Sequence, residues 1–192
     1  MTDRATLIAL LAARSTRRGQ FILASGKAST VYIDARLTTM SPEGLSLIGP
    51  LGLATLRRTG WQVDAVGGLT LGADPISYAI SYASTSSGPL VRAFTVRKEA
   101  KGHGTGKLIE GPFNPGDRVA VIEDVITTGG SALRAIDAIQ NAQGIVSGVL
   151  ALVDREEGGR EAIEATGVPV VSMVRASEIV GTMKNQSGGQ GA

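Results

Sequence analysis

The sequence predicts an α/β fold built on an open parallel sheet, and three observations carry that prediction. From residue 63 onward, strand-like runs alternate with helix-like ones, the rhythm of right-handed strand–helix–strand crossovers. The run 119–122, VAVI, is apolar and mostly β-branched, as in a strand covered on both faces. Several of these strands end in segments rich in glycine, hydroxyls or charge, and open parallel sheets bind ligands at their strand carboxyl ends.

The elements follow in order. Residues 3–14 place Leu7, Ile8, Leu10 and Leu11 on one side of an amphipathic helix, with Thr2 or Asp3 as its cap. FIL at 21–23 and VYIDA at 31–35 read as two short extended pieces. A second helix begins at Ser41 with Pro42 in its first position, and Pro50 is expected to kink it or end its first half. Then come VDAVGG at 63–68 as strand, ADPISYAISYA at 73–83 as helix and PLVRAFTV at 89–96 as strand. The Gly/Lys-rich segment 97–117 reads as a long loop. Strand 119–123, helix 131–143, strand 147–154, helix 157–166 and strand 168–173 complete the pattern. Residues 182–192, TMKNQSGGQGA, lack core-forming side chains and are expected to be a disordered tail after a single domain 1–181.

Composition narrows the functional class. The 192 residues suit one domain with a sizeable core. Nineteen basic and seventeen acidic side chains leave a charge of +2, so no nucleic-acid partner is expected. There is no cysteine, which rules out disulfides and thiolate metal sites. No apolar run is long enough to span a membrane and no signal-peptide pattern is present, so a soluble cytoplasmic protein is the expectation.

The chemistry concentrates in VIEDVITTGGSA, residues 121–132. Thr127, Thr128, Gly129, Gly130 and Ser131 form a turn whose backbone N–H groups can converge just before a helix, an anion cradle suited to a phosphate monoester. Glu123 and Asp124 immediately precede it and would repel a phosphate unless they face sugar hydroxyls or a metal ion. A ribose 5-phosphate satisfies both demands. An acidic helix cap alone explains less, because capping needs neither two adjacent acids nor a five-residue turn. VGGLTLGADP at 66–75 again lets backbone approach an anion closely. Arg155, in LVDREEGG, either reads a planar carboxylate or pairs with Glu156 or Glu157 at the surface. Between residues 92 and 107 five basic side chains face Glu99 alone, a local charge of +4, and the only histidine, His103, lies there between two glycines. A basic loop of this kind suits closure over a polyphosphate.

Together these segments resemble the orotate phosphoribosyltransferases. The acid-pair turn resembles the phosphoribosyl-diphosphate (PRPP) signature of type I phosphoribosyltransferases. SGKASTVYIDAR at 25–36, VRKEAKGHG at 96–104 with IEG at 109–111, and DREEGG at 154–159 resemble the orotate branch in particular. The resemblance spans residues 20–160. It implies a five-stranded parallel sheet flanked by helices, with a small hood built mainly from residues 1–40. It also implies transfer of the phosphoribosyl group from PRPP to orotate, with Mg²⁺ chelated mainly by PRPP and not held in a protein metal site. By that resemblance Glu123 and Asp124 bind the ribose hydroxyls, and Val125, Ile126, Thr127, Thr128, Gly129, Gly130 and Ser131 wrap the 5-phosphate. Arg97, Lys98, Lys101 and His103 take the pyrophosphate, and Thr127 and Arg155 take orotate. Lys101, His103 and Asp124 are the expected catalytic residues, with Lys101 and His103 reaching across a homodimer. The chain departs from many members at Ala24, where they carry lysine, and at Thr70 and Leu71, where they carry Tyr-Lys; Lys27 lies near the first gap. A purine-specific relative fits Arg155 poorly. A regulatory PRPP sensor would need an added DNA-binding element, and a general nucleotide-binding protein leaves the basic loop unexplained.

Overall fold

The computed structural model describes residues 3–22, 26, 28–99 and 107–187. Helix α1 (Asp3–Leu10) buries Leu7 and passes into a π-helical turn, Leu11–Ser15. The extended pieces expected at 21–23 and 31–35 overlap a longer antiparallel hairpin, β1 (Thr16–Ile22) and β2 (Ala28–Ile33); Leu23 lies outside the described residues, and Asp34 and Ala35 follow β2. One extra residue between Arg18 and Phe21 bulges β1 and bends the hairpin. After the short α2 (Arg36–Thr39), α3 (Pro42–Arg58) starts where Ser41 accepts a hydrogen bond from the Gly44 N–H at 3.1 Å. Of the two outcomes expected at Pro50, ending the helix is excluded, since α3 runs to Arg58 through this proline. Ile48, Leu53 and Leu56 are buried on both sides of it, and that packing outweighs the single hydrogen bond a proline removes.

The remaining elements are β3 (Ala65–Leu69), α4 (Ala73–Ser84), β4 (Arg92–Val96), β5 (Ile109–Glu110), β6 (Arg118–Ile126), α5 (Gly130–Asn141), β7 (Ile145–Asp154), α6 (Gly159–Glu164), β8 (Val170–Arg175) and α7 (Ala176–Ser187). They form a six-stranded sheet of order β5-β4-β3-β6-β7-β8, parallel throughout except at β5. The expected five-strand count is therefore corrected to six. The sixth strand pairs antiparallel with β4 through only two residues inside the segment taken for a loop, too short for any alternation to be read from sequence. The expectation of an unstructured tail from residue 182 also needs correction, because α7 continues to Ser187. Its first turn is tied to α1 by the Arg4 fork on Glu178 at 2.8 and 2.9 Å, and Ile179 is fully buried.

Alternation along the central strands sorts the core into two layers. Ala120 and Ile122 of β6, with Leu150 and Leu152 of β7, join Leu7, Ile48, Ile76 and Ile80 on one face. Val119 and Val121, with Val149 and Ala151, join Ile139 and Ile163 on the other. The apolar run at 119–122 is thus a strand covered on both sides, as its composition required. At the amino ends of the strands, Arg118 forks onto Asp64 at 2.8 Å and Arg92 meets Asp117 at 2.6 Å. These pairs tie loops at the end of the sheet opposite its carboxyl ends. No helix among the described residues is long and apolar enough to cross a membrane.

Truncating Leu150 to alanine in this two-sided core should lower the unfolding free energy by about 2–5 kcal/mol. A urea titration measures it, and a cost below about 1 kcal/mol would mean the two layers are not closely packed at β7.

Candidate active site

The chain order creates the site. From β3 the connection runs outward to β4, whereas β6 lies on the other side of β3 and leads outward to β7 and β8. The winding reverses between β3 and β6, and a crevice opens at their carboxyl ends. A cleft of about 560 Å³ occupies this place. Its floor is the continuous stretch Glu123, Asp124, Val125, Ile126, Thr127, Thr128, Gly129, Gly130 and Ser131. Leu69, Thr70, Leu71, Gly72 and Lys98 form the wall at β3 and β4, and Arg155 stands at the end of β7.

The turn after β6 has its shape for steric reasons. Gly129 has φ of +82°, in the left-handed region, and a Cβ there would lie 2.7 Å from the Gly159 carbonyl. Only glycine meets both conditions without strain. With Gly129 in that conformation, α5 starts at Gly130 and its N-terminus opens onto the cleft. On the facing wall Gly72 presses against the acid pair: a Cβ on it would sit 2.5 Å from the Asp124 carboxyl carbon.

Burial governs the electrostatics of the acid pair. Glu123 is pushed up to about 8 by desolvation first and by the neighbouring Asp124 charge second, with Arg134 only partly offsetting them. Asp124 is also raised, again chiefly by desolvation. The Val125 N–H, which donates to its Oδ1 at 2.8 Å, and the more distant Arg36 both act against that rise. The floor of the cleft thus holds two buried carboxyl groups hydrogen-bonded to each other, with little positive charge beside them, a site for hydroxyls or a cation. Among the described residues, no group of three or more histidine, aspartate or glutamate side chains could hold a metal.

Arg155 makes the ion pair with Glu157 that was one of its two sequence readings, and it also lines the cleft. It is 8 % exposed, and its Nε and Nη2 donate to Glu157 Oε1 at 2.9 and 2.6 Å. Nη2 also donates to Ser29 Oγ and the Val31 carbonyl, both at 3.2 Å. The ion pair expected at the surface is therefore buried, and it joins the end of β7 to β2 of the hairpin while Arg155 lines the cleft. Glu157 Oε2 is buried and has no hydrogen-bond partner.

The structure brings most of the expected residues together and sets one aside. Glu123 to Ser131, Lys98 and Arg155 all line the cleft. Arg97 is not among its lining residues: the side chain turns to the Glu99 carbonyl at 3.3 Å and to Glu110 at 3.7 Å. Lys101 and His103 lie outside the described residues, as do Ala24 and Lys27. Sequence reasoning missed Tyr32, Asp34, Arg36 and Arg134, which also line the cleft. Arg36 forks onto Asp34 at 2.8 and 3.0 Å and holds that carboxyl below its ordinary range. Arg134 had a readable signal, since it stands one turn inside the helix that opens on the anion cradle.

Because Glu123 binds its proton more tightly when folded, its contribution to stability is fully present below its ordinary value of 4.5 and is lost as pH rises from there through about 8. Replacing Glu123 by glutamine should flatten that decline, as measured by urea midpoints across this interval. An unchanged slope would show that other groups set it.

No family model matches the chain. The orotate phosphoribosyltransferase of Aquifex aeolicus (strain VF5) is 48% identical over 183 residues, spanning 94% of this chain and 99% of that protein. Among solved structures, Mycobacterium tuberculosis H37Rv orotate phosphoribosyltransferase in complex with Fe(III) dicitrate superposes with a TM-score of 0.80. It is 43% identical and covers 92% of this chain and 98% of that one. The same enzyme in complex with PRPP gives a TM-score of 0.77 at 40% identity, covering 93% and 99%.

Proposed function

Since the chain belongs to the orotate phosphoribosyltransferase family and acts as a pentosyltransferase making orotidine 5'-monophosphate and pyrophosphate from PRPP and orotate in pyrimidine biosynthesis, we propose how its cleft divides that work. The observation that carries the reading is the order of the strand ends along the cleft. The N–H groups of 127–131 take the 5-phosphate at β6, and Glu123 and Asp124 take the ribose hydroxyls beside it. Lys98 and the wall 70–72, at β4 and β3, face the pyrophosphate. Arg155, at β7 and under the hairpin, faces orotate together with Thr127. Displacement at the anomeric carbon needs the incoming ring nitrogen and the departing oxygen on opposite sides. The base end and the pyrophosphate end lie on opposite sides of β6 in the strand order, which supports this division.

The chemistry asked of the residues is electrostatic. Positive charge develops on the ribose ring as the bond to pyrophosphate breaks, and the carboxyl oxygens of Asp124 and Glu123, accepting from the ribose hydroxyls, favour it. Negative charge grows on the pyrophosphate and is met by Lys98 and the backbone of the wall. Mg²⁺ chelated by the pyrophosphate of PRPP would arrive with the substrate and would supply further positive charge at that end. No nucleophilic side chain is required. The chain through the end of α7 acts as one catalytic domain with the hairpin as its hood, in a cytoplasmic homodimer. Lys101 and His103 are assigned to the pyrophosphate end of the neighbouring subunit's site. Arg97, paired with Glu110, is assigned to the support of that basic segment.

Pyrophosphate release from PRPP and Mg²⁺ should occur with orotate and not with adenine or hypoxanthine. In the same assay Arg155→Ala should raise the KM for orotate by about tenfold or more and that for PRPP by much less, since a charge-assisted fork to the base is lost. Equal rises would mean that Arg155 does not read the base, and turnover with a purine alone would overturn the substrate assignment.

Mixing Lys101→Ala with Asp124→Ala subunits, each nearly inactive alone, should restore about a quarter of wild-type activity after exchange, because half of the dimers then hold one intact site of two. No recovery after exchange is verified by mass would place the basic segment over its own subunit's site.

A further inference from the structure

The wall facing the pyrophosphate poses a problem of charge. Thr70, Leu71 and Gly72 carry no basic side chain, and the nearest charge in sequence is Asp74, an acid in the first turn of α4. An acid beside a pyrophosphate would weaken binding unless its oxygens were engaged elsewhere. Both are. Thr70 Oγ1 donates to Asp74 Oδ2 at 2.6 Å, and Thr95 Oγ1 on β4 donates to Asp74 Oδ1 at 2.9 Å. Tyr78, one turn further along α4, shares a hydrogen bond of 2.7 Å with the Thr95 hydroxyl. The Thr70 N–H donates to the Val96 carbonyl at 2.8 Å, so the same threonine is held to β4 through its backbone.

We propose that Asp74 is a positioning residue that fixes the Thr70–Gly72 wall for the pyrophosphate of PRPP, held from outside the cleft by Thr95 and Tyr78. The proposal rests on the assignment of that wall to the pyrophosphate. A neutral wall can meet an anion only through N–H and hydroxyl groups, and these help only if their direction is set before the ligand arrives. Asp74 sets it from two sides: one carboxylate oxygen holds the wall through Thr70, and the other is anchored to β4 through Thr95. The wall cannot shift inward, because Gly72 already lies against the Asp124 carboxyl. It cannot shift outward without breaking the bond from Thr70 to Asp74. Tyr78 is 52% exposed, so the outer end of this chain of hydroxyls reaches the surface.

The test is a steady-state comparison of Asp74→Ala, Asp74→Asn, Thr95→Val and Tyr78→Phe with the wild type. Asp74→Ala should raise the KM for PRPP about tenfold or more while the KM for orotate moves by less than about threefold. Asp74→Asn keeps a polar group able to bond both hydroxyls and should recover most of the loss. Thr95→Val and Tyr78→Phe should give smaller PRPP effects, declining with distance from the cleft. Tyr78→Phe alters an exposed ring, so it reports on the relay even where Asp74→Ala folds poorly. Equal rises in both KM values, no rescue by asparagine, or unchanged PRPP KM in both Thr95→Val and Tyr78→Phe would overturn the proposal. Failure of the underlying assignment is distinguishable, because Leu71→Lys, which adds a positive charge to the wall itself, would then leave the KM for PRPP unchanged.

Discussion

The close approach of β3 to its neighbours is the constraint on which the site depends. A Cβ on Gly67 would lie 2.5 Å from the Phe94 carbonyl, one on Gly68 would collide with the Ile122 carbonyl, and one on Gly72 would enter the Asp124 carboxyl. With no side chains at these positions, the end of β3 lies flat between β4 and β6. The crevice made by the reversal of winding is therefore narrow enough for a backbone wall on one side to face an acid pair on the other. Any side chain there would push the wall away from the floor.

That narrowness has an electrostatic cost, and the sequence spreads its relief over several elements. Burial drives both acids upward, and Arg134 and Arg36 only moderate the effect. The hairpin end follows a different rule. Arg155 is buried but is surrounded by acceptors from its own loop and from the hairpin, so its charge is met within the chain. One end of the cleft thus carries acids that burial disfavours, while the other carries a paired cation.

Much of this was legible in the sequence, for identifiable reasons. The run 119–122 had to be a doubly covered strand, and Glu123 to Ser131 had to form a cradle beside two acids, because both facts are local to consecutive residues. The features that escaped depend on partners distant in sequence. Strand β5 exists through a two-residue pairing with β4, and α7 is held by Arg4, 174 residues away from Glu178. Arg97 looked like its neighbour Lys98, but Glu110 on the adjacent strand draws it aside. Arg155 offered two readings, and the hairpin bonded to it shows why its ion pair with Glu157 is withdrawn from the surface. At Pro50 too, neighbours in space and not in sequence keep α3 running.

The way the cleft is assembled bears on how such a site could change its preference over generations. The floor of the cleft comes from one uninterrupted segment, 123–131, whereas the hairpin end is contributed by β2 and by a residue that follows β7. The first is inherited as a unit, and a single insertion within it would dismantle the whole floor. The second is a joint between separate stretches, held together by a few hydrogen bonds around Arg155. Substitutions can accumulate in the hairpin without disturbing the floor.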